Sequence, residues 1–187
     1  MKKTMYLECQ SGISGDMTVA ALLDLGADEE VLKKALSSLP VSGFQIQISR
    51  VKKAGLDVCD FDVLLDKVHE NHDHDMEYLH GHSHEHSHNH SAHAHHHHVH
   101  RGMKEIMDIL NAAALTDRAR ATAVRIFTIL GEAEAKAHGT TAEEVHFHEV
   151  GAVDSIVDII SAAVCFDDLG IDEVYIPVIY EGTGTVH

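Results

Sequence analysis

The residues with the clearest chemistry are histidines, which crowd into the stretch 69–100, called the histidine tract below. It holds fifteen of the nineteen histidines in the chain. Neutral imidazole is a good ligand for nickel, zinc and copper, and its ordinary pKa of about 6.5 leaves much of it neutral at physiological pH. Such a composition predicts the binding of several divalent ions. The predicted ligands are His72, His74, His80, His82, His84, His86, His88, His90, His93, His95, His96, His97, His98 and His100.

The histidine tract has two simpler interpretations, an expression tag and a solvated linker. A tag would lie at a terminus, whereas this tract is internal and interleaved with Asp, Glu, Asn and Ser. The tract could instead be a solvated polar linker that binds metal only in vitro. The composition favours metal handling as its biological role.

A second group of metal-type residues lies at 146–158. In an extended segment His146 and His148 point to the same side, which suits capture of one metal ion by both imidazoles. The spacing differs from the HExxH pattern of zinc proteases, and Glu149 follows directly. These two histidines are therefore further candidate metal ligands.

The helix predicted after this segment carries carboxylates beside its apolar stripe. Asp154 and Asp158 are four residues apart, on one ridge with Ser161 and Cys165. Spacing alone leaves a metal or charged-ligand site and a plain capping cluster equally open. No catalytic residue can be assigned outright, and the candidates are Asp16, Glu149, Asp154 and Asp158.

The turn SGISGDM at 11–17 stands between a predicted strand and a predicted helix. Unpaired amide groups gather at such a helix start and can hold a phosphate, and glycines allow a close approach. The turn is neither a GxGxxG motif nor a Walker A loop, so spacing alone favours a tight turn with Ser11 or Ser14 as the N-cap. The candidate cofactor-binding residues are Ser11, Gly12, Ser14, Gly15 and Asp16.

The elements that position these residues form an α/β mixture, with helices and strands in one compact domain. Residues 1–68 and 101–187 are predicted to build this domain, with 69–100 as a long disordered insertion. The predicted strands are 4–9, 44–51, 57–65 and 173–178, and the turn at 52–55 predicts an antiparallel hairpin of the second and third. The predicted helices are 17–25, 28–39, from 102, 117–138 and 151–169, with caps at Asp28 and at Thr116-Asp117. Burial is expected for Val124, Phe127, Leu130, Ala133, Val153, Ile156, Val157, Ile160 and Val164, and solvent exposure for Asp167 and Asp168.

Composition excludes several classes of protein. The chain has 187 residues and a formal net charge of −16, which repels nucleic acid. Cys9, Cys59 and Cys165 are far apart and form no CxxC pair, which fits a reducing cytoplasm rather than a disulfide framework. The N-terminal residues lack the apolar run of a signal peptide, and no stretch of eighteen apolar residues exists. We expect a soluble cytoplasmic protein that binds neither nucleic acid nor membrane.

Three segments carry a resemblance to a known family. LECQSGISGDM at 7–17, VHFHEVGAVDSIVDII at 145–160 and IDEVYIPVIYEGTGTVH at 171–187, together with the histidine-rich insertion, resemble the LarC family of nickel-insertion proteins. The resemblance covers nearly the whole chain outside the tract. The family usually has Asp where this chain has Glu8, which keeps the carboxylate, and an aromatic or small residue where it has Gln10.

The resemblance implies a function. Such proteins are CTP-dependent nickel chelatases of the lyase class, which place Ni²⁺ into pyridinium-3,5-bisthiocarboxylic acid mononucleotide to make the nickel-pincer cofactor of lactate racemase. The family's site for CTP and Mg or Mn lies in a C-terminal half, so this chain corresponds to the N-terminal, nickel-supplying portion. Its implied partners are the mononucleotide precursor, the C-terminal half and the apo lactate racemase.

Two functions from different classes therefore remain. In the first, the tract gathers nickel and passes it to a second site at His146, His148, Glu149 and Asp154, beside the SGISGDM turn. In the second, the protein is a non-catalytic, histidine-rich nickel metallochaperone or metal store. A store needs only the tract, whereas an insertase must bind the precursor through the ordered domain.

Overall fold

The computed structural model describes residues 2–10, 12–66, 101–142, 144–147 and 152–180. Its strands are β1 (Thr4–Tyr6), β2 (Phe44–Lys53), β3 (Leu56–Leu65), β4 (Arg101–Gly102), β5 (His146–Phe147) and β6 (Glu173–Tyr175). Its helices are α1 (Gly15–Asp24), α2 (Glu29–Ser37), α3 (Met103–Ala112), α4 (Asp117–His138) and α5 (Val153–Asp168). The predicted ligands of the histidine tract and the interpretation of the tract as disordered lie outside the described residues.

Helix α5 is the centre of the domain. It packs against α1, α2, α4 and β3, and the five apolar positions predicted for its buried stripe are all buried. Burial extends beyond that stripe to Ala162, Ala163 and Cys165, because neighbours cover α5 on several sides. A helix covered on several sides in this way lies in the interior of its domain. The predicted single α/β domain is confirmed for the described residues.

Local signals fix the ends of two helices as the sequence predicts. The Asp28 carboxylate accepts a hydrogen bond from the Glu30 amide at 2.8 Å and so caps α2. The Thr116 hydroxyl accepts one from the Ala119 amide at 3.1 Å and caps α4. Helix α4 ends at Gly139, whose φ of +65° is the left-handed conformation that glycine adopts most easily.

The hairpin of β2 and β3 is confirmed, with antiparallel pairing from Phe44–Leu65 to Lys53–Leu56. Asp24, at the end of α1, ties the hairpin to that helix. Its carboxylate accepts a hydrogen bond from the Cys59 amide at 2.8 Å and contacts the Arg50 guanidinium. These contacts hold the pKa of Asp24 below its usual value, the amide of Cys59 having the largest effect.

The buried face of helix α4 is a line of mostly small residues, and Val124 and Leu130 of the predicted stripe pack, partly buried, against the core beside it. Phe127 is buried as expected, but Ala133 is exposed, so that part of the prediction is wrong. The buried line follows i, i+4 spacing, and Ala133 lies about 120° around the helix from Phe127. Small side chains in this line let α5 and α3 approach closely. The line comprises Ala119, Ala123, Phe127, Gly131 and Ala135.

The predicted exposure of Asp167 is also wrong. Its carboxylate accepts a hydrogen bond from the Thr116 hydroxyl at 2.6 Å and lies 3.8 Å from the Arg118 guanidinium. Asp168 is exposed, yet it accepts a hydrogen bond from the Asp28 amide at 2.8 Å. These contacts offset the unfavourable interaction of two carboxylates with the C-terminal end of a helix.

The first and last strands pair with each other. β1 and β6 run parallel with Thr4 opposite Glu173 and Tyr6 opposite Tyr175, and a further bridge joins Cys9 to Ile179. Both strands are shorter than predicted. All three cysteines are free, and no helix in the described ranges has the length and apolarity needed to cross a membrane.

Candidate functional site

The turn before α1 starts the candidate site. Gly12 has a φ of +83°, and Ser14 occupies the N-cap position of α1. The prediction of Ser14 as the N-cap residue is confirmed, although its side chain makes no capping hydrogen bond. Its hydroxyl instead donates to the Asp16 carboxylate. Helix α1 accordingly begins at Gly15, two residues before the predicted start.

A carboxylate from α5 meets the start of α1. The Asp16 amide donates a hydrogen bond to the Asp158 carboxylate, which lies directly against Gly15. A Cβ atom at Gly15 would stand 2.5 Å from Asp158 Oδ2 and 2.7 Å from Asp158 Cβ. Only glycine leaves room for this contact. The Asp16 amide, which the sequence predicted to be available for a phosphate, is therefore already bound to the Asp158 carboxylate.

The environment of Asp158 disfavours its charged form. Burial, followed by the negative charges of Asp16 and Asp154, raises the pKa of Asp158 from 3.8 to about 7. The amide hydrogen bond from Asp16 lowers this pKa but does not offset the other effects. Neither Asp16 nor Asp158 forms an ion pair with a lysine or arginine in the part of the chain that the structure describes. Asp16, Asp154 and Asp158 are called the acidic cluster below.

Polar atoms on the buried side of the same ridge lack hydrogen bonds. Asp158 Oδ1 and Ser161 Oγ are both buried, and neither has a partner among the described residues. Ser161 is 0% exposed. Unsatisfied buried oxygens are uncommon, and each costs about 1–3 kcal/mol. The ridge of Asp154, Asp158, Ser161 and Cys165 predicted from the sequence is confirmed as the face of α5 that borders the core.

The structure brings together only some of the predicted site residues. Asp16, Asp154 and Asp158 are neighbours, whereas Ser11, His148 and Glu149 lie outside the described residues. His146 lies in β5, and its backbone pairs with Gly102. No group of three or more His, Cys, Asp or Glu side chains among the described residues has the geometry of a metal site.

The contact between Gly15 and Asp158 was not predicted from the sequence. One signal was present: a glycine in the first turn of a helix is unfavourable unless something must approach its Cα atom. What approaches is set by the tertiary fold, since these residues are far apart in the chain. Ser161 was placed on the right ridge, but its full burial was not predicted.

Two glycine substitutions distinguish a rigid contact from a flexible one. Gly15→Ala should lower the free energy of unfolding by about 1–3 kcal/mol, because the new methyl group meets the Asp158 carboxylate and Cβ. Gly131→Ala is the matched control. Its methyl group meets the terminal Cε atom of Met103, which can move, and the helix gains up to about 1 kcal/mol in propensity. Urea unfolding of both variants measures the difference, and equal effects would show that Asp158 moves as easily as Met103.

Comparison with known proteins identifies the family. The family model for nickel insertion proteins matches residues 5–187, so this chain belongs to that family. The chain is 52% identical over its whole length to the pyridinium-3,5-bisthiocarboxylic acid mononucleotide nickel insertion protein of Alkaliphilus metalliredigens. It is 43% identical over 98% of its length to the protein of the same name from Akkermansia muciniphila. It is also 51% identical over 98% of its length to a putative nickel insertion protein of Maridesulfovibrio salexigens.

These relatives are longer proteins. The chain spans 42% of the Alkaliphilus protein, 40% of the Akkermansia protein and 44% of the Maridesulfovibrio protein. No solved structure matches the chain. The resemblance noted from the sequence is therefore confirmed at the level of the family, and the match concerns less than half of each relative.

Proposed function

We propose that this chain is the nickel-binding and nickel-inserting part of a CTP-dependent chelatase of the lyase class. Its substrate would be pyridinium-3,5-bisthiocarboxylic acid mononucleotide, and its product the nickel-pincer cofactor of lactate racemase. The names of the Alkaliphilus and Akkermansia relatives support the substrate, and family membership supports the metal. By itself the chain is expected to be incomplete for the reaction.

The histidine tract is the proposed source of nickel. Its fifteen histidines supply many borderline ligands within thirty-two residues, so several ions can be held near the domain. The formal net charge of −16 further attracts divalent cations. A supply of this kind needs a second place where one ion meets the organic precursor.

The acidic cluster is the observation that carries the proposal of a receiving site. The Asp158 carboxylate lies directly against Gly15. Burial, followed by the negative charges of Asp16 and Asp154, raises the pKa of Asp158 to about 7. Like charges gathered in a partly buried place destabilise one another, and a divalent cation relieves that repulsion. We propose that His146, His148 and Asp154 hold the ion, with Glu149, Asp16 and Asp158 as the adjoining acid–base groups.

The turn before α1 is the proposed site for the phosphate of the precursor. Residues 12–16 lead into the start of a ten-residue helix, where backbone amides favour an anion. The Asp16 amide is already bound to Asp158, and the Gly12 amide donates to the Cys9 carbonyl at 3.3 Å. Binding would therefore use the amides of Ser11, Ser14 and Gly15, with Gly12 allowing a close approach of the phosphate. A nickel ion beside the turn would also offset the repulsion between the phosphate and Asp16.

The remaining parts of the reaction belong to polypeptide outside this chain. We propose that CTP and its Mg or Mn ion bind to the C-terminal part that the relatives carry, and that apo lactate racemase receives the finished cofactor. Residues 1–68 and 101–187 would act as one domain with the tract, 69–100, as its insertion. The proposed location is the cytoplasm, in keeping with the three free cysteines.

A transfer assay tests this function. The chain is fused to the part of the Alkaliphilus relative outside the match, loaded with nickel, and supplied with precursor, CTP and Mg²⁺ or Mn²⁺. Nickel in the precursor is measured by mass spectrometry. Transfer should be about tenfold or more faster than from a nickel-loaded peptide of residues 69–100 mixed with the same relative's part, because an ordered site orients the ion and the precursor.

The second candidate function is a non-catalytic metallochaperone or metal store, and the composition of the tract supports it. It makes the opposite prediction for the same assay. If the peptide of residues 69–100 supplies nickel as fast as the fused protein, the ordered domain has no part in insertion and the store is the correct function.

A further inference from the structure

The parallel sheet of β1 and β6 has two open edges among the described residues. It has two parallel strands, and no described strand pairs with the outer edge of either. Parallel strands are normally covered on both faces and continued by further strands, because their backbone and apolar side chains otherwise meet water. A two-stranded parallel sheet at the surface therefore indicates a missing neighbour.

Large apolar side chains are exposed along this sheet and its extension. Tyr6 and Tyr175 are each 58% exposed, and their rings lie side by side with centroids 5.6 Å apart. The exposed residues that follow β6 continue past the turn before α1, since Ile179 bridges to Cys9. We call this surface the sheet face. Its centre is the pair Tyr6 and Tyr175, and the exposed apolar residues of the segment that follows β6 continue it: Ile176, Val178, Ile179 and Tyr180.

Polar groups border the sheet face. Lys2 and Glu173 form an exposed ion pair at 2.7 Å, and the Lys3 ammonium donates to the Leu169 carbonyl at 2.6 Å. Scattered apolar residues are common on any surface, but a contiguous patch with a polar rim indicates a place where another polypeptide packs. Aromatic residues at its centre are typical of the anchors of such interfaces.

We propose that the sheet face is the docking surface for the remainder of the polypeptide that the relatives carry beyond the matched region. This chain spans only 40–44% of three of them, so each carries a larger part joined to the same domain. A covalently joined part has a high effective concentration and can occupy the face stably. This inference goes beyond the proposed function and does not depend on it.

The sheet face lies close to the turn before α1. The segment 178–180 passes the turn before α1, where the Tyr180 carbonyl would stand 3.9 Å from a Cβ atom at Gly12. The acidic cluster begins four residues further along, at Asp16. Polypeptide packed on the sheet face would therefore lie beside the candidate site and could complete it with its own side chains.

Hydroxyl-radical footprinting tests the docking. The chain alone is compared with the chain fused to the part of the Alkaliphilus relative outside the match. Modification of Tyr6 and Tyr175 should fall about fivefold or more in the fusion, as expected for residues at the centre of an interface. Leu56 and Ile129, which are 67% and 49% exposed on other surfaces, serve as internal references and should be unchanged.

Two substitutions sharpen the test. In the fusion, the Tyr6→Ser/Tyr175→Ser double variant should restore the modification of Ile179 to the level in the chain alone. Ile129→Ser should leave Ile179 protected. Tyr6, Tyr175 and Ile129 are all exposed, so the substitutions should leave the fold intact. A thermal melt of each variant chain checks this. Unchanged modification of Tyr6 and Tyr175 on fusion would overturn the proposal. Protection in the chain alone, rising with concentration alongside a dimer in sedimentation, would also overturn it and assign the face to a second copy.

Discussion

Deleting residues 71–99 is expected to lower the nickel capacity of the protein by about three ions. The deletion removes thirteen of the nineteen histidines, and nickel in a tetragonal site uses about four such ligands. Titration calorimetry with Ni²⁺ at pH 7.5 measures the loss against the intact chain. Binding to the intact tract should also weaken as the pH drops below about 6.5, because protons compete for imidazole.

The same deletion should leave the domain folded. The deleted stretch has few apolar residues to bury, and the cost of closing a loop depends only weakly on its length. Thermal unfolding in the absence of metal should therefore be nearly unchanged. A collapsed melting transition would show that the tract is structural, and a single tight site insensitive to pH in the intact chain would contradict its role as a multi-ion supply.

Replacing Asp158 by Asn is expected to make the metal-free protein more stable at pH 8 and no more stable near pH 4. The pKa of Asp158 is 3.8 when unperturbed and about 7 in the folded protein. Between these values the folded state binds more protons than the unfolded state, so the free energy of unfolding falls as the pH rises from about 4 to about 7. Asn cannot ionise and avoids this loss, while its carbonyl can still accept the Asp16 amide.

The expected gain at pH 8 is about 1–2 kcal/mol. A shift of this size corresponds to roughly 4 kcal/mol, and partial exposure to solvent reduces the realised value. Urea unfolding between pH 4 and 8 measures it. Asp108→Asn is the control, since that carboxylate is exposed beside Lys104 and its loss should change stability by less than about 0.5 kcal/mol. Equal stability of wild type and Asp158→Asn at pH 8 would mean that Asp158 ionises freely.

Most of the helices and the hairpin could be predicted because their signals are local. Asp28 and Thr116 cap helices through amides two and three residues away, and the stripe of α5 follows the helical period. Ala133 was misplaced because the direction of burial on α4 depends on which helices surround it. β6 was predicted too long because its partner β1 has only three residues.

The candidate site was predictable only in part. The spacing placed Asp154 and Asp158 on one ridge, and the turn before α1 was recognised as a helix start rich in amides. The sequence could not show that these two features meet, since the contact joins Gly15 to a residue of a distant helix. The sequence placed Ser14 correctly at the N-cap of α1, but it did not show that the Ser14 hydroxyl donates to Asp16 instead of accepting from a backbone amide.

The central claim is that the ordered domain holds a receiving site for nickel. Its most direct test is nickel titration of the chain lacking residues 71–99, with and without replacement of His146 and His148 by Asn or Gln. We predict that the shortened chain binds about one Ni²⁺ ion and that the double replacement abolishes this binding, with the free energy of unfolding within about 0.5 kcal/mol of the shortened parent. Unchanged nickel binding in the double variant, or lost stability with unchanged binding, would contradict the claim and make these histidines part of a folding cluster.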